Sequence, residues 1–308
     1  MATQKTTVEV DGRTLTLSNL TKVLYPATGF TKGEVVDYYV RIAPVLLPHL
    51  AGRALTRKRY PDGVEGGAFF EKNAPSHTPD WVRTVRLPSP GSTKNRDTID
   101  YVVVEELAAL VWLANLAALE LHVPQWTVGP RGGAHGADLL VLDLDPGAPA
   151  TVVECAQVAL LLREVLAEDG LQAWAKTSGS KGLQLYVPVQ EVPWERTHAY
   201  ARSLAERLEK DHPELVVSRM TKALRPGKVL VDWSQNNGAK TTVAPYSLRA
   251  REEPTVSTPV TWDEVATVAS SGEPEQLRFR AADVLERVER HGDLLAPLLE
   301  LRQPFPPA

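Results

Sequence analysis

The spacing of apolar positions changes period several times along the chain, and each change marks an element. Val8-Glu9-Val10 and Leu15-Thr16-Leu17 alternate on either side of Asp11-Gly12, which predicts a small hairpin. Val35, Tyr38, Tyr39 and Ile42 then recur at helical spacing behind Thr31 and Glu34, a capping box, and predict a helix. Residues 99–104 read as a strand and the apolar stretch 107–121 as one buried helix, which ends at His122-Val123-Pro124 because proline forces an extended exit. A flexible glycine-rich loop is expected over 129–136. Thr151 and Glu154 open a second capped helix, whose stripe of Val158, Leu161, Leu162, Val165 and Leu166 stops at Gly170. Short strands near 172–175 and 183–188 bracket a small-residue loop, a helix follows over 194–210, and 229–233 returns to a strand. Residues 262–301 look helical and scaffold-like, and 302–307 form a proline-rich end. With no internal repeat and no long linker, one compact unit over 1–308 is expected: an N-terminal lobe to about 135, a central part over about 136–260 and a C-terminal helical part over about 261–308.

The densest signal ends one apolar run, Asp138-Leu139-Leu140-Val141-Leu142-Asp143-Leu144-Asp145-Pro146-Gly147. Side chains alternate across a strand, so Asp143 and Asp145 share a face while Leu142 and Leu144 turn into a core. Two neighbouring carboxylates repel unless a cation sits between them, and a divalent metal, which prefers oxygen ligands, is the simplest one. The competing reading is a surface loop with solvated acids, which Asp-x-Asp alone does not exclude. A third acid, Asp232, falls inside the apolar strand at 229–233, where an unpaired carboxylate is expensive and a cation is again expected.

Composition narrows the class without naming a chemistry. The net charge of −4 is no global signature of a nucleic-acid binder, although local basic clusters act at short range whatever the sum. The longest apolar run, 107–123, is broken by Asn115 and Glu120 and is short for a membrane span, and residues 1–9 lack an apolar signal core, so no membrane association and a cytoplasmic location are expected. A lone cysteine, Cys155, excludes an internal disulfide and a cysteine-based zinc cluster.

Local basic clusters do occur. Lys22 and Lys32 flank a loop that feeds a helix N-terminus, a place suited to phosphate or simply two solvated lysines. Arg53, Arg57, Lys58 and Arg59 precede a glycine-rich turn and then Phe69-Phe70-Glu71-Lys72, a pattern that fits stacking on exposed bases and gripping a backbone, or else an ordinary core pair. In Thr177-Ser178-Gly179-Ser180-Lys181-Gly182 small residues let backbone N–H groups approach an anion while Lys181 supplies charge; an ordinary hairpin turn is the alternative. Arg219, Lys222, Arg225 and Lys228 form a further basic run just before the strand that carries Asp232. Three acids, an anion loop and basic neighbours together fit two-metal phosphoryl or nucleotidyl transfer. A metal-dependent nuclease using the same acids would leave the anion loop unexplained.

The residues also carry a family resemblance. Val-Leu-Tyr-Pro-Ala-Thr-Gly at 23–29, Phe69-Phe70-Glu71-Lys72, His122-Val-Pro-Gln-Trp126, Asp143-Leu-Asp145-Pro-Gly147, Thr177-Ser-Gly-Ser-Lys-Gly182 and Asp232-Trp-Ser-Gln235 resemble, in order, the polymerase domain of bacterial DNA ligase D, of the archaeo-eukaryotic primase superfamily. The resemblance implies an α+β primase-polymerase fold: an RRM-like palm with a mostly antiparallel sheet, flanking helices and an N-terminal lobe. It implies templated addition of nucleotides, ribonucleotides favoured, at the breaks handled by non-homologous end joining, with manganese preferred over magnesium. By position it makes Asp143, Asp145 and Asp232 the metal ligands. His122, Ser178, Lys181, Gln184, Arg225, Gln235 and Arg249 would hold the incoming NTP or dNTP. Lys22, Lys32 and Lys72 would bind the 5′-phosphate of the downstream DNA strand, and Phe69 and Phe70 would stack on the template. An end-binding protein such as Ku and a separate ATP-dependent ligase are the implied partners, at the bacterial nucleoid. Two departures stand out. Family members read Lys-Gly-Leu-His where this chain has Lys181-Gly182-Leu183-Gln184, a neutral amide in place of a chargeable imidazole. No ligase or nuclease portion follows, so a stand-alone relative or an excised domain is expected. The alternative function is a module that recognises and aligns DNA ends with weakened catalysis.

Overall fold

The computed structural model describes residues 5–89 and 97–306; residues 1–4 of the polar start and Pro307 of the proline-rich end lie outside them. Strands β1 (Lys5–Val10) and β2 (Arg13–Ser18) form the expected hairpin, turned by Asp11 and Gly12 at positive φ. The small pair β3 (Val23–Tyr25) and β4 (Phe30–Thr31) leads into helix α1 (Lys32–Leu50), which starts in the Thr31/Glu34 capping box. Its phenols are buried but satisfied: Tyr38 and Tyr39 donate to the carbonyls of Tyr246 and Leu119 at 2.8 and 2.7 Å. After β5 (Thr56–Arg59), β6 (Phe69–Glu71), β7 (Thr84–Pro88) and β8 (Thr98–Val102) comes helix α2 (Leu107–Asn115).

Here the pattern misleads. The apolar stretch is not one helix to Leu121: it ends at Asn115, Ala117 turns with φ 56°, and β9 (Ala118–Val123) follows, carrying His122 within it. Nearly every residue on both sides of the turn is buried, so neither helical nor strand periodicity shows. Asn115 fixes the switch by accepting from Ser18 N at 3.0 Å and donating to Thr16 O at 3.1 Å, which ties the helix end to β2.

Strand β10 (Trp126–Val128) and the long β11 (Ala134–Pro146) come next, so the glycine loop is shorter than expected. Helix α3 (Val152–Glu168) has its capping box at Thr151 and Glu154. The chain continues through β12 (Trp174–Thr177), β13 (Leu183–Val192), α4 (Trp194–Asp211), β14 (Val216–Val217), β15 (Val229–Asp232), β16 (Thr242–Val243) and β17 (Pro259–Val260). It closes with α5 (Trp262–Ser271), α6 (Ala281–His291) and α7 (Pro297–Glu300). Trp233 leaves the strand for a 3₁₀ turn over Trp233–Asn236. Among the described residues no helix is long and apolar enough to cross a membrane.

Two sheets dominate. The larger runs β14-β15-β11-β13-β12-β17, antiparallel except at β14/β15, with β10 beside the early part of β11. Leu140, Leu142 and Leu144 of β11 point into a core shared with α3, α4 and α5, which leaves the opposite face to Asp143 and Asp145, as strand alternation requires. The second sheet, β16-β9-β5-β6, joins α1 and α2 over a separate core that also takes in Tyr246, Leu248 and Val256. The chain therefore returns to the N-terminal lobe after Asp232, and this return brings Arg249 over the larger sheet's polar face.

Candidate active site

Strand register builds the centre. Asp143 on β11 lies directly opposite Asp232 on β15 and Gln184 on β13, and Gln184 lies opposite Lys176 on β12. Four polar residues thus form one row across four strands, and Asp145 sits two residues along on the same face. One oxygen from each of Asp143, Asp145 and Asp232 falls within 4.8 Å of the others, a spacing suited to oxygen-ligated divalent cations. Burial first, then the charge of Asp145 and more weakly that of Asp232, pushes the Asp143 carboxyl up; hydrogen bonding from Gln184 and the Lys176 charge oppose this. Asp145 is likewise pushed up by burial and by Asp232, while Arg225 and Arg249 pull it back. Such crowding is what a hard cation would relieve, so the donor set fits the metal expected from sequence.

Asp232 is oriented from within its own turn. Oδ1 accepts from Ser234 N at 3.0 Å and Ser234 Oγ at 2.6 Å, and Oδ2 accepts from Gln235 Nε2 at 2.7 Å. Gln235 therefore reaches the site through Asp232. Buried Asn236 donates to Val141 O at 2.7 Å and accepts from Val141 N at 2.9 Å, standing in for the strand partner that β11 loses where β15 ends.

Two glycines let the neighbours close on the strand tip. A Cβ at Gly147 would lie 2.1 Å from Arg225 O, and one at Gly182 would lie 1.9 Å from Leu144 O. The first contact brings the basic segment with Arg225 beside Asp145; the second seats the loop over 177–182 on β11. That loop is a hairpin turn between β12 and β13, and Lys176 belongs to the strand before it. The N–H groups of Ser180 and Gly182 point to Ser178 Oγ at 3.3 and 3.1 Å. Exposed Lys181 is therefore what the loop extends outward, while the Arg249 guanidinium donates to Ser178 O.

On the second sheet, His122 Nε2 meets the buried carboxylate of Glu120 at 3.0 Å, and Glu120 also accepts from Ala250 N at 3.1 Å and lies 3.5 Å from Arg249 Nε. Burial works against ionised Glu120, but the His122 hydrogen bond and the charges of Arg249, His122 and Lys58 outweigh it and hold the carboxyl near 2. Burial lowers His122, against the hydrogen bond and the charge of Glu120. Phe70 packs edge-on against His122 with centroids 5.9 Å apart. Phe69 and Phe70, on edge strand β6, are 53 % and 54 % exposed. They are a surface pair, not core.

The N-terminal cations divide. Arg53 pairs with Asp138 through two bonds of 2.8 and 2.9 Å, and fully buried Arg57 pairs with Glu71 at 3.0 Å, so both serve the fold and neither is free to grip a backbone. Lys32 donates to Ser18 O at 2.7 Å; burial, then Lys22 and Arg59, bring its ammonium down to about 8. Lys22, Lys32 and Arg59 thus form a like-charged cluster, with Lys22 partly answered by Asp62 and Arg59 by Glu71, each at 3.0 Å. Lys72 donates to Ala239 O at 3.3 Å, a tie to the turn beyond Asp232. Arg59, Glu120 and Lys176 were not singled out as site residues from sequence. Arg59 stood in a basic run that gave no hint which members face outward, and the other two acquire their roles only through strand register.

Comparison with known proteins completes the picture. The family model for the primase-polymerase domain of LigD matches residues 31–295. The multifunctional non-homologous end joining protein LigD of Mycolicibacterium smegmatis is 47% identical over 283 residues, covering 92% of this chain and 36% of its own length. The bifunctional LigD of Bacillus subtilis is 33% identical, covering 90% of this chain and 43% of its own. The chain therefore spans well under half the length of these relatives. Among solved structures, the polymerase domain from Mycobacterium tuberculosis ligase D in complex with DNA superposes with a TM-score of 0.86 at 45% identity, over 92% of this chain and 98% of that one.

Proposed function

The chain belongs to the LigD primase-polymerase family, and from that premise we propose that it is a DNA-templated nucleotidyltransferase. In this reading it extends a 3′-hydroxyl at DNA ends or short gaps that carry a 5′-phosphate, taking ribonucleotides by preference, in non-homologous end joining or gap repair. The observation that carries the reading is the triad of Asp143, Asp145 and Asp232, set by strand register and flanked by Arg225 and Arg249. Manganese or magnesium bound by these carboxylates would supply acidity at the 3′-hydroxyl and neutralise the triphosphate.

The chain's own residues divide the remaining work. Arg225, Arg249 and Lys181 hold the triphosphate as cations on three different segments, and Ser178 keeps the loop closed beneath them. His122, oriented by Glu120, helps hold the incoming nucleotide. Ser234 and Gln235 fix both oxygens of Asp232 and so limit the motion of the triad. On the DNA side, Lys22, Lys32, Lys72 and Arg59 favour a 5′-phosphate, and Phe69 and Phe70 offer rings to template bases. That a structural relative is a ligase D polymerase domain in complex with DNA supports DNA as the partner. Ku and a DNA ligase activity are the partners such an activity would need.

The test is extension of a gapped duplex, comparing ribo- with deoxyribonucleotides, manganese with magnesium, and a 5′-phosphate with a 5′-hydroxyl. Metal-dependent product, greatest with ribonucleotides and manganese on the phosphorylated gap, is expected. Binding without extension would favour the end-alignment function instead, and a gain of extension in Gln184→His would trace the loss to that position.

A further inference from the structure

The row across the large sheet contains a hydrogen-bond chain whose direction is fixed at both ends. Lys176 is fully buried, and its Nζ lies 2.5 Å from Gln184 Oε1 and 2.6 Å from Ser257 Oγ, with the ring of Tyr186 beneath it at 5.2 Å. Ser257 spends its own proton on Thr177 O at 3.0 Å, so its oxygen accepts from Lys176. At the other end, Gln184 Nε2 donates to Asp143 Oδ1 at 2.9 Å, a bond that favours the ionised carboxylate. The amide therefore faces Lys176 with its oxygen and Asp143 with its nitrogen.

We infer that Lys176 is a positioning residue that acts through Gln184 to fix the rotation of the Asp143 carboxylate, and so sets the affinity of the acidic triad for a divalent cation. This rests on the metal reading of the triad. The arrangement gives Gln184 a use inside the protein: both ends of its amide are engaged at 4 % exposure, and it orients a ligand residue whether or not it reaches a nucleotide. Without the lysine donor the amide is free to turn its oxygen toward Asp143, and the carboxylate loses its partner. A through-space role makes the opposite prediction, since removing a buried positive charge near the triad should tighten cation binding.

Titration of the nucleotide-free protein with Mn²⁺, read from the electron paramagnetic resonance signal of the free ion, separates these outcomes. Lys176→Met should weaken binding about tenfold, the low end for loss of a partner behind a metal ligand. Gln184→Leu should weaken it at least as much, and the double variant should match Gln184→Leu alone, because the lysine acts only through the amide. Unchanged or tighter binding in Lys176→Met, or two losses that multiply in the double variant, overturns the inference. Should Lys176→Met fail to fold, as judged by its melting transition, Ser257→Ala carries the same test: a loss of about two- to threefold that vanishes in the Gln184→Leu background, with persistence there counting against it. Asp143→Ala tells the two readings apart. Wild-type Mn²⁺ binding in that variant removes the metal reading itself, whereas lost binding there with an inert Lys176→Met removes only the positioning role.

Discussion

The acidic row of the large sheet and the basic edge of the N-terminal lobe crowd like charges in opposite senses. Asp143 is pushed up by burial, Asp145 and Asp232, Asp145 by burial and Asp232, and Lys32 is pushed down to about 8 by burial, Lys22 and Arg59. Each group holds charge that its own fold leaves partly unanswered, and each invites a partner of opposite sign. They differ in how they are held. The acids stand on adjacent strands in fixed register, whereas the cations come from three separate segments: a loop, a helix start and β5, an inner strand of the second sheet. On the proposed function, chemistry that tolerates little displacement is placed on strands in one register, and recognition of a DNA end on side chains gathered from separate segments.

The strongest way to break this contrast is Asp232→Asn, which keeps shape but removes charge from the triad. Extension should fall by roughly a thousandfold or more in a single-turnover assay, with the melting temperature little changed. Next come the rings. Phe69→Ala and Phe70→Ala should each weaken binding of gapped DNA by about 1–3 kcal/mol, the worth of one stacked base. As both side chains are more than half exposed, stability should shift by no more than about 0.5 kcal/mol in a denaturant titration. Phe70→Ala should in addition raise the KM for nucleotide, since Phe70 packs on His122 and Phe69 pairs instead with Arg59.

Smaller still, Lys32→Met should reduce the preference for a 5′-phosphate over a 5′-hydroxyl about tenfold, the loss of one charge-assisted contact. That preference should itself shrink as pH rises through about 8. Lys32 is charged below that value and neutral above it, while a phosphate monoester is already doubly ionised above about 6, so only the lysine changes. The same depression means that the unfolded chain holds this proton more tightly between about 8 and the ordinary lysine value of 10.5, and stability contributed by Lys32 therefore rises with pH across that window. Binding at pH 7 and pH 9 should show the change in wild type and none in Lys32→Met.

Much of this was legible before any coordinates. The Asp11-Gly12 hairpin and the capping boxes at Thr31 and Thr151 are local, and local rules sufficed. Asp143 and Asp145 share a face by strand alternation, and Asp232 stood out as an acid in an apolar strand. The switch from α2 to β9 was hidden because a fully buried segment shows no period. Lys176 and Glu120 were hidden for another reason: their partners Gln184, Asp143 and Arg249 come from other strands and a distant segment, and only register brings them together. The basic run over 53–59 could not be sorted by sequence either, since pairing with Asp138 and Glu71 is what removes Arg53 and Arg57 from the surface.

The separation of the two regions is tested most directly by Asp143→Ala on a single 5′-phosphorylated gapped duplex, with extension and binding measured on the same samples. A rigid acidic centre apart from the end-binding edge predicts that extension disappears while affinity for the duplex stays within about twofold of wild type. Extension at the wild-type rate, or affinity that collapses together with extension, would contradict it.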